Sequence, residues 1–117
     1  MSQPNKRRVR MEQFTRQIAD QVLPDNNLVP VDLPDGQVVH IKIPVMLPEG
    51  DDFLDRMTAA GNEEDIALVI FSGADVPAED QWRIWRDAGY TGTDLIKVFT
   101  TERLAAEDRL RAFRYKG

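Results

Sequence analysis

The spacing of apolar residues near the N-terminus predicts a helix. Over residues 7–23 the apolar side chains recur every three or four positions, as on one face of an amphipathic helix; they are Met11, Phe14, Ile18 and Val22. Pro24 and the polar residues 25–27 would end this helix, because proline cannot continue it and short polar side chains favour turns.

The pattern changes to a period of two at Leu28 and predicts a β-hairpin. Apolar residues alternate with other residues over 29–33 and again over 39–45, as in half-buried strands. Between the two runs lies a Pro-Asp-Gly segment at 34–36, in which glycine accepts the positive φ that a tight turn requires. We therefore predict a hairpin over about residues 28–46.

Beyond Pro48 the pattern predicts short helices that end at glycines. Asp51 or Asp52 is placed to cap a helix that ends at Gly61. Asn62 is placed to cap a second helix, which ends near Gly73.

Two further helices are predicted towards the C-terminus. Asp75 is a cap candidate for a third helix, with Pro77 suited to its first turn, and this helix would end at Gly89. A fourth would begin at Thr91 or Thr93 and run nearly to residue 117. Its apolar stripe loses phase between residues 99 and 104, which predicts a kink or break at Thr100-Thr101.

These elements predict an α+β fold with an N-terminal helix, a hairpin and a C-terminal cluster of about four helices. Residues 1–48 would form the helix and hairpin, and residues 49–117 a helical region packed with the hairpin as one domain. The 117 residues, of which 42% are hydrophobic and 30% charged, are typical of a globular domain that folds without disulfides or metal.

The amino-acid composition excludes several kinds of metal site and catalytic nucleophile. The absence of cysteine excludes disulfides, thiolate zinc sites and cysteine nucleophiles. The single histidine, His40, excludes a histidine metal cluster, and its predicted place beside Lys42 on a strand face favours a polar surface role. We find no secretory signal or membrane-spanning segment. We therefore expect no cofactor, no membrane partner and a cytoplasmic location.

Two groups of carboxylates are candidate acid–base or metal sites. They lie at Asp51, Asp52 and Asp55 and at residues 63–65. Both fall in the first turn of a predicted helix, where the helix dipole favours negative charge. Neither has the ligand spacing of a calcium-binding loop. With no nucleophile motif or phosphate-binding loop in the sequence, we predict that the protein is not an enzyme.

Trp82 and Trp85 are candidates for protein recognition. Tryptophans three residues apart share one side of a helix and are enriched among binding hot spots. The alternative is a core role, which the pattern favours for Trp85 and leaves open for Trp82.

Charge is distributed unevenly along the chain. Residues 1–16 carry five basic and one acidic side chain, residues 17–102 five basic and seventeen acidic, and residues 103–117 five basic and two acidic. The basic ends raise nucleic acid as a partner. The acidic body would repel phosphate, however, and no nucleic-acid-binding motif is present.

The residues from 50 onward resemble a known family. The resemblance is carried by the runs GDDFLDRMTAAGNEEDIALVIFSG and EDQWRIWRDAGYTGTDLIKVF. They are similar to the small tail assembly chaperones of long-tailed phages and prophages of actinobacteria. The shared features are a short acidic helix, acidic residues before an aliphatic run and a glycine, an E-x-Q-W helix, an Ala-Gly stop and a threonine-capped helix.

This resemblance implies a non-enzymatic protein that binds the tape measure protein, or other tail proteins, in the host cytoplasm and keeps it soluble during tail assembly. The expected client-binding residues are Trp82, Trp85, Leu95 and Phe99. A first alternative is a structural connector or tail terminator subunit that stays in the virion and extends a neighbour's sheet through its hairpin. A second is a small regulator that binds nucleic acid through its basic N-terminal arm. Self-association is also left open.

Overall fold

The computed structural model describes residues 27–116, with side chains as far as Ala112. In this range the chain forms a two-stranded hairpin followed by four helices. They are β1 (Leu28–Asp32), β2 (Val38–Lys42), α1 (Phe53–Ala59), α2 (Glu63–Ile70), α3 (Ala78–Asp87) and α4 (Gly92–Lys116). The predicted hairpin and four helices are confirmed, and the helix predicted over 7–23 lies outside the described residues.

The hairpin is closed by the predicted turn. β1 and β2 are antiparallel, with Val29 opposite Ile41. The N–H of Gly36 donates to the C=O of Leu33 at 3.0 Å, and Gly36 has a φ of 87°. A glycine in this left-handed conformation at the end of a three-residue loop gives the strands the twist that a hairpin needs.

The core lies between one face of the hairpin and the helices. The rings of Phe53 on α1 and Phe99 on α4 stack with their centroids 6.1 Å apart, so the first and last helices meet there. The fully buried side chains of the core include Val39, Ile41, Ile43, Phe53, Ala67, Ile70, Phe71, Trp85 and Leu95.

Side-chain caps start two of the helices where the sequence predicts them. The Oδ1 of Asn62 accepts from the N–H of Asp65 at 2.8 Å at the start of α2. Before α4, the Oγ1 of Thr91 accepts from the N–H of Asp94 at 3.2 Å, while the carboxylate of Asp94 accepts from the N–H of Thr91 at 3.0 Å. This reciprocal pair satisfies two backbone donors that the helix cannot pair internally.

The end of α3 is fixed by Gly89. This residue has a φ of 97°, and its N–H donates to the C=O of Arg86 at 2.9 Å while that of Tyr90 donates to the C=O of Trp85 at 3.4 Å. These two bonds define a Schellman motif. The ring of Tyr90 then lies 5.0 Å from that of Trp85, so the helix end also packs on the core.

Two predicted details are wrong. α4 continues from Gly92 to Lys116 without a break at Thr100-Thr101; β-branched residues weaken a helix only slightly, and the slip in phase instead leaves Leu104 half exposed. Asp75 does not cap α3, which begins after Pro77 with no side-chain cap.

Candidate protein-binding site

The inner side of α3 faces the core. Trp85 is only 2% exposed, and its Nε1–H donates to the C=O of Thr91 at 2.8 Å. Its ring also lies 6.3 Å from that of Phe71. The core interpretation of Trp85 is thereby confirmed, with its one polar atom satisfied.

Gln81, also on the inner side of α3, joins three elements. Its Oε1 accepts from the backbone N–H of His40 on β2 at 2.8 Å, and its Nε2 donates to the C=O of Phe71 after α2 at 3.0 Å. The side chain is 1% exposed. Sequence reasoning missed this role, although a glutamine one helical turn before Trp85 was a signal, because positions four apart share a helix face.

Three of the four predicted client-binding residues lie in the core. Trp85, Leu95 and Phe99 are 2%, 0% and 6% exposed. The expectation that they form one surface with Trp82 needs correction, because in this fold they contact Phe53, Phe71 and other core residues rather than solvent. Trp82 is the one member of the set that is only partly buried.

Trp82 lies in a groove between α2 and α3, which we call the Trp82 groove. Its volume is about 470 Å³. From α2 it is lined by Glu64 and Leu68, four residues apart and therefore on one side of that helix. The lining residues from α3 are Glu79, Asp80, Trp82, Arg83, Arg86 and Asp87.

The charged side chains of the Trp82 groove are unevenly paired. Asp80 and Arg83 form an ion pair at 3.4 Å, and the guanidinium of Arg86 lies 5.6 Å from the centre of the Trp82 ring, which is within cation–π range. Among the described residues, none of the three remaining carboxylates, on Glu64, Glu79 and Asp87, has an ion-pair partner. The groove therefore carries an excess of negative charge.

The indole N–H of Trp82 is buried and has no hydrogen-bond partner within the described part of the chain. A buried donor without an acceptor costs about 1–3 kcal/mol. Most buried tryptophan N–H groups find a partner, and Trp85 on the same helix has one. Within the described residues, α3 thus carries one indole donor that has an acceptor and one that does not.

The first carboxylate group is held by contacts that stabilise the fold. Asp51 lies 2.7 Å from the Nζ of Lys42 on β2, and its Oδ1 accepts from the N–H of Phe53 at 2.8 Å. The hydrogen bond from Lys42, with a smaller contribution from that of Phe53, lowers the pKa of Asp51 despite partial burial. Asp51 therefore fastens the start of α1 to the hairpin.

The second group acts at the start of α2. Asp65 belongs to the capped first turn, and the Oε1 of Glu63 accepts from the Oγ1–H of Thr93 at 2.8 Å. This bond ties the start of α2 to that of α4. Among residues 27–116 we find no group of three or more histidine or acidic side chains placed to hold a metal ion.

His40 is half buried on β2, on the face opposite Val39 and Ile41. Its backbone N–H is the group that Gln81 binds. Within residues 27–116, no helix combines the length and apolar character needed to cross a membrane.

Comparison of the chain with protein-family models, with curated proteins and with solved structures gave no match.

Proposed function

We propose that this protein is a non-enzymatic tail assembly chaperone that binds the tape measure protein in the host cytoplasm and keeps it soluble. The observation that carries the proposal is the exposure of Trp82 in a groove between two helices, in the E-x-Q-W segment that resembles the phage chaperones. Grooves between helices commonly receive the apolar face of an amphipathic helix, and tape measure proteins are long and helical.

The composition of the Trp82 groove suits reversible binding. Leu68 and Trp82 offer apolar surface, and charged side chains surround them. A tryptophan anchor within a polar rim is a common hot-spot arrangement. Such a surface releases its client when a stronger assembly partner arrives, as a chaperone must.

The hairpin edge argues against the alternative of a structural subunit that adds a strand to its neighbour. The N–H of Leu33 donates to the C=O of Gln37, and that of Ile43 to the C=O of Asn27. Hydrogen-bonded pairs alternate with non-bonded ones in an antiparallel ladder, so the nitrogen of Pro30 is directed to the open edge of β1. Proline has no N–H to donate there, which discourages a further strand.

Co-expression tests the proposed function. A segment of a tape measure protein should become soluble and co-purify when expressed with this chain. Trp82→Ala should reduce the amount that co-purifies, because it removes the anchor from the groove. Leu54→Ala is the matched control, since Leu54 is an exposed apolar residue (57% exposed) on α1.

Circular dichroism should show both variants folded. Failure of the tape measure segment to co-purify with the unaltered protein would contradict the proposed function. Equal loss with Leu54→Ala would show that the binding surface is not the Trp82 groove.

A further inference from the structure

The Trp82 groove also indicates which kind of client segment it accepts. This inference rests on the proposed function, in that it specifies the chemistry of the bound segment. Two observations carry it: the charges of the groove and its apolar surface.

The charges favour a basic segment. Of the four carboxylates in the groove, Asp80 alone has an ion-pair partner among the described residues, Arg83, and that pair is exposed. Arg86 lies over the ring of Trp82. Within the described chain, Glu64, Glu79 and Asp87 remain without a cation, so lysine or arginine on a partner finds complementary charge on both walls.

The apolar surface fixes where such a segment would sit. Leu68 on α2 and Trp82 on α3 are the large apolar residues among those that line the groove. An apolar side chain of the partner can cover this surface while basic side chains on either side of it reach the carboxylates. That spacing of apolar and basic residues is the pattern of one face of a cationic amphipathic helix.

We propose that the Trp82 groove binds a cationic amphipathic segment of the client. An apolar side chain of the segment covers Leu68 and Trp82, and basic side chains face Glu64, Glu79 and Asp87.

Two synthetic amphipathic peptides test this proposal. They share one leucine pattern, and their polar positions are all lysine in the first and all glutamate in the second. Calorimetry with the full chain at low salt should show binding of the lysine peptide only. In the ¹H–¹⁵N spectrum, the indole signal of Trp82, assigned by its loss in Trp82→Phe, should shift on addition of that peptide.

Single substitutions in the groove measure how much each side chain contributes to binding of the lysine peptide. Glu64→Gln and Glu79→Gln should each weaken binding of the lysine peptide roughly two- to fivefold, as expected for exposed charge pairs. Glu49→Gln, an exposed carboxylate outside the groove, is the matched control and should leave binding unchanged. Trp82→Phe keeps an aromatic ring but reduces the apolar surface of the groove, and should weaken binding about two- to tenfold.

Equal binding of the glutamate peptide, an unshifted Trp82 indole signal, or an equal effect of Glu49→Gln would overturn the assignment. The same variants with a tape measure segment distinguish this inference from the proposed function. A client complex insensitive to Glu64→Gln and Glu79→Gln would leave the chaperone function standing and refute the cationic groove. Binding of the lysine peptide without any complex with the tape measure segment would support the cationic groove and contradict the chaperone function.

Discussion

Trp82 and Trp85 lie three residues apart on α3, yet their surroundings differ in every respect that matters for function. The ring of Trp85 lies among Phe71 and Tyr90, and its N–H is bonded to Thr91. The ring of Trp82 lies beneath Arg86 and lines the Trp82 groove, and its N–H has no acceptor among the described residues. α3 thus has one side that lies in the core and a neighbouring side that lines the groove.

The contrast shows that a small angular difference around a helix separates a buried side chain from a partly exposed one. Positions three apart are about 300° apart around the helix axis, or 60° in the other direction. Because α3 packs at the boundary between β2 and α2, that difference moves one indole out of the core.

Truncating the two tryptophans should affect stability very unequally. Trp85→Ala should lower the free energy of unfolding by about 3–5 kcal/mol, as for a buried aromatic side chain. Trp82→Ala should lower it by less, about 1–2 kcal/mol, because Trp82 is partly exposed and packs only along the edge of the core. Urea denaturation of the two variants measures both values. Similar losses would mean that α3 does not have two distinct sides.

Gln81 should stabilise the fold through its hydrogen bonds rather than through the volume that its side chain fills. Gln81→Met preserves the length of the side chain but leaves the N–H of His40 and the C=O of Phe71 unpaired, which should cost about 1–3 kcal/mol. Urea denaturation measures the loss. Binding of the lysine peptide should be unchanged once the variant is folded, since Gln81 does not line the Trp82 groove.

The cap of α2 supports the other wall of the groove. Asn62→Ala should cost about 1 kcal/mol because the N–H of Asp65 loses its acceptor. Asn62→Asp retains an acceptor oxygen and is the control, with stability expected near that of the unaltered chain. A loss of equal size in both variants, measured by thermal unfolding, would contradict the assigned cap.

The smallest effect concerns Asp51 and depends on pH. Its pKa is lowered in the folded chain from the ordinary value of 3.8, so its stabilising contribution is present above that value and is lost as pH falls through the folded pKa. Asp51→Asn should therefore be less stable than the unaltered chain near neutral pH. The difference should shrink as the pH falls below about 4. A difference that stays constant with pH would rule out a role for the ionised carboxylate.

Local signals in the sequence accounted for much of the fold. The glycine of the hairpin turn, the cap at Asn62 and the start of α4 at Thr91 each depend on residues within four positions of one another. Their geometry is set by short-range sterics and hydrogen bonds, and so it can be predicted without knowledge of the tertiary structure. The predicted break at Thr100-Thr101 is wrong, because the apolar stripe moves to another face of α4 while the helix itself continues.

The candidate site was less accessible to prediction. Helical spacing placed Trp82, Trp85, Leu95 and Phe99 on apolar stripes, but did not tell which stripe faces the core. That depends on the packing of α3 against β2 and of α4 against α1, between residues far apart in sequence. The joining role of Gln81 depends on His40, forty-one positions away, and no local pattern reports such a contact.

The bond between Gln81 and His40 has a dynamic consequence for the hairpin. In an outer strand, an outward-facing amide normally exchanges its proton with water through local fraying. Here the amide of His40 is held by the side chain of Gln81 on α3, so it should exchange more slowly than an unprotected amide at a strand edge. Gln81→Met should raise its exchange rate.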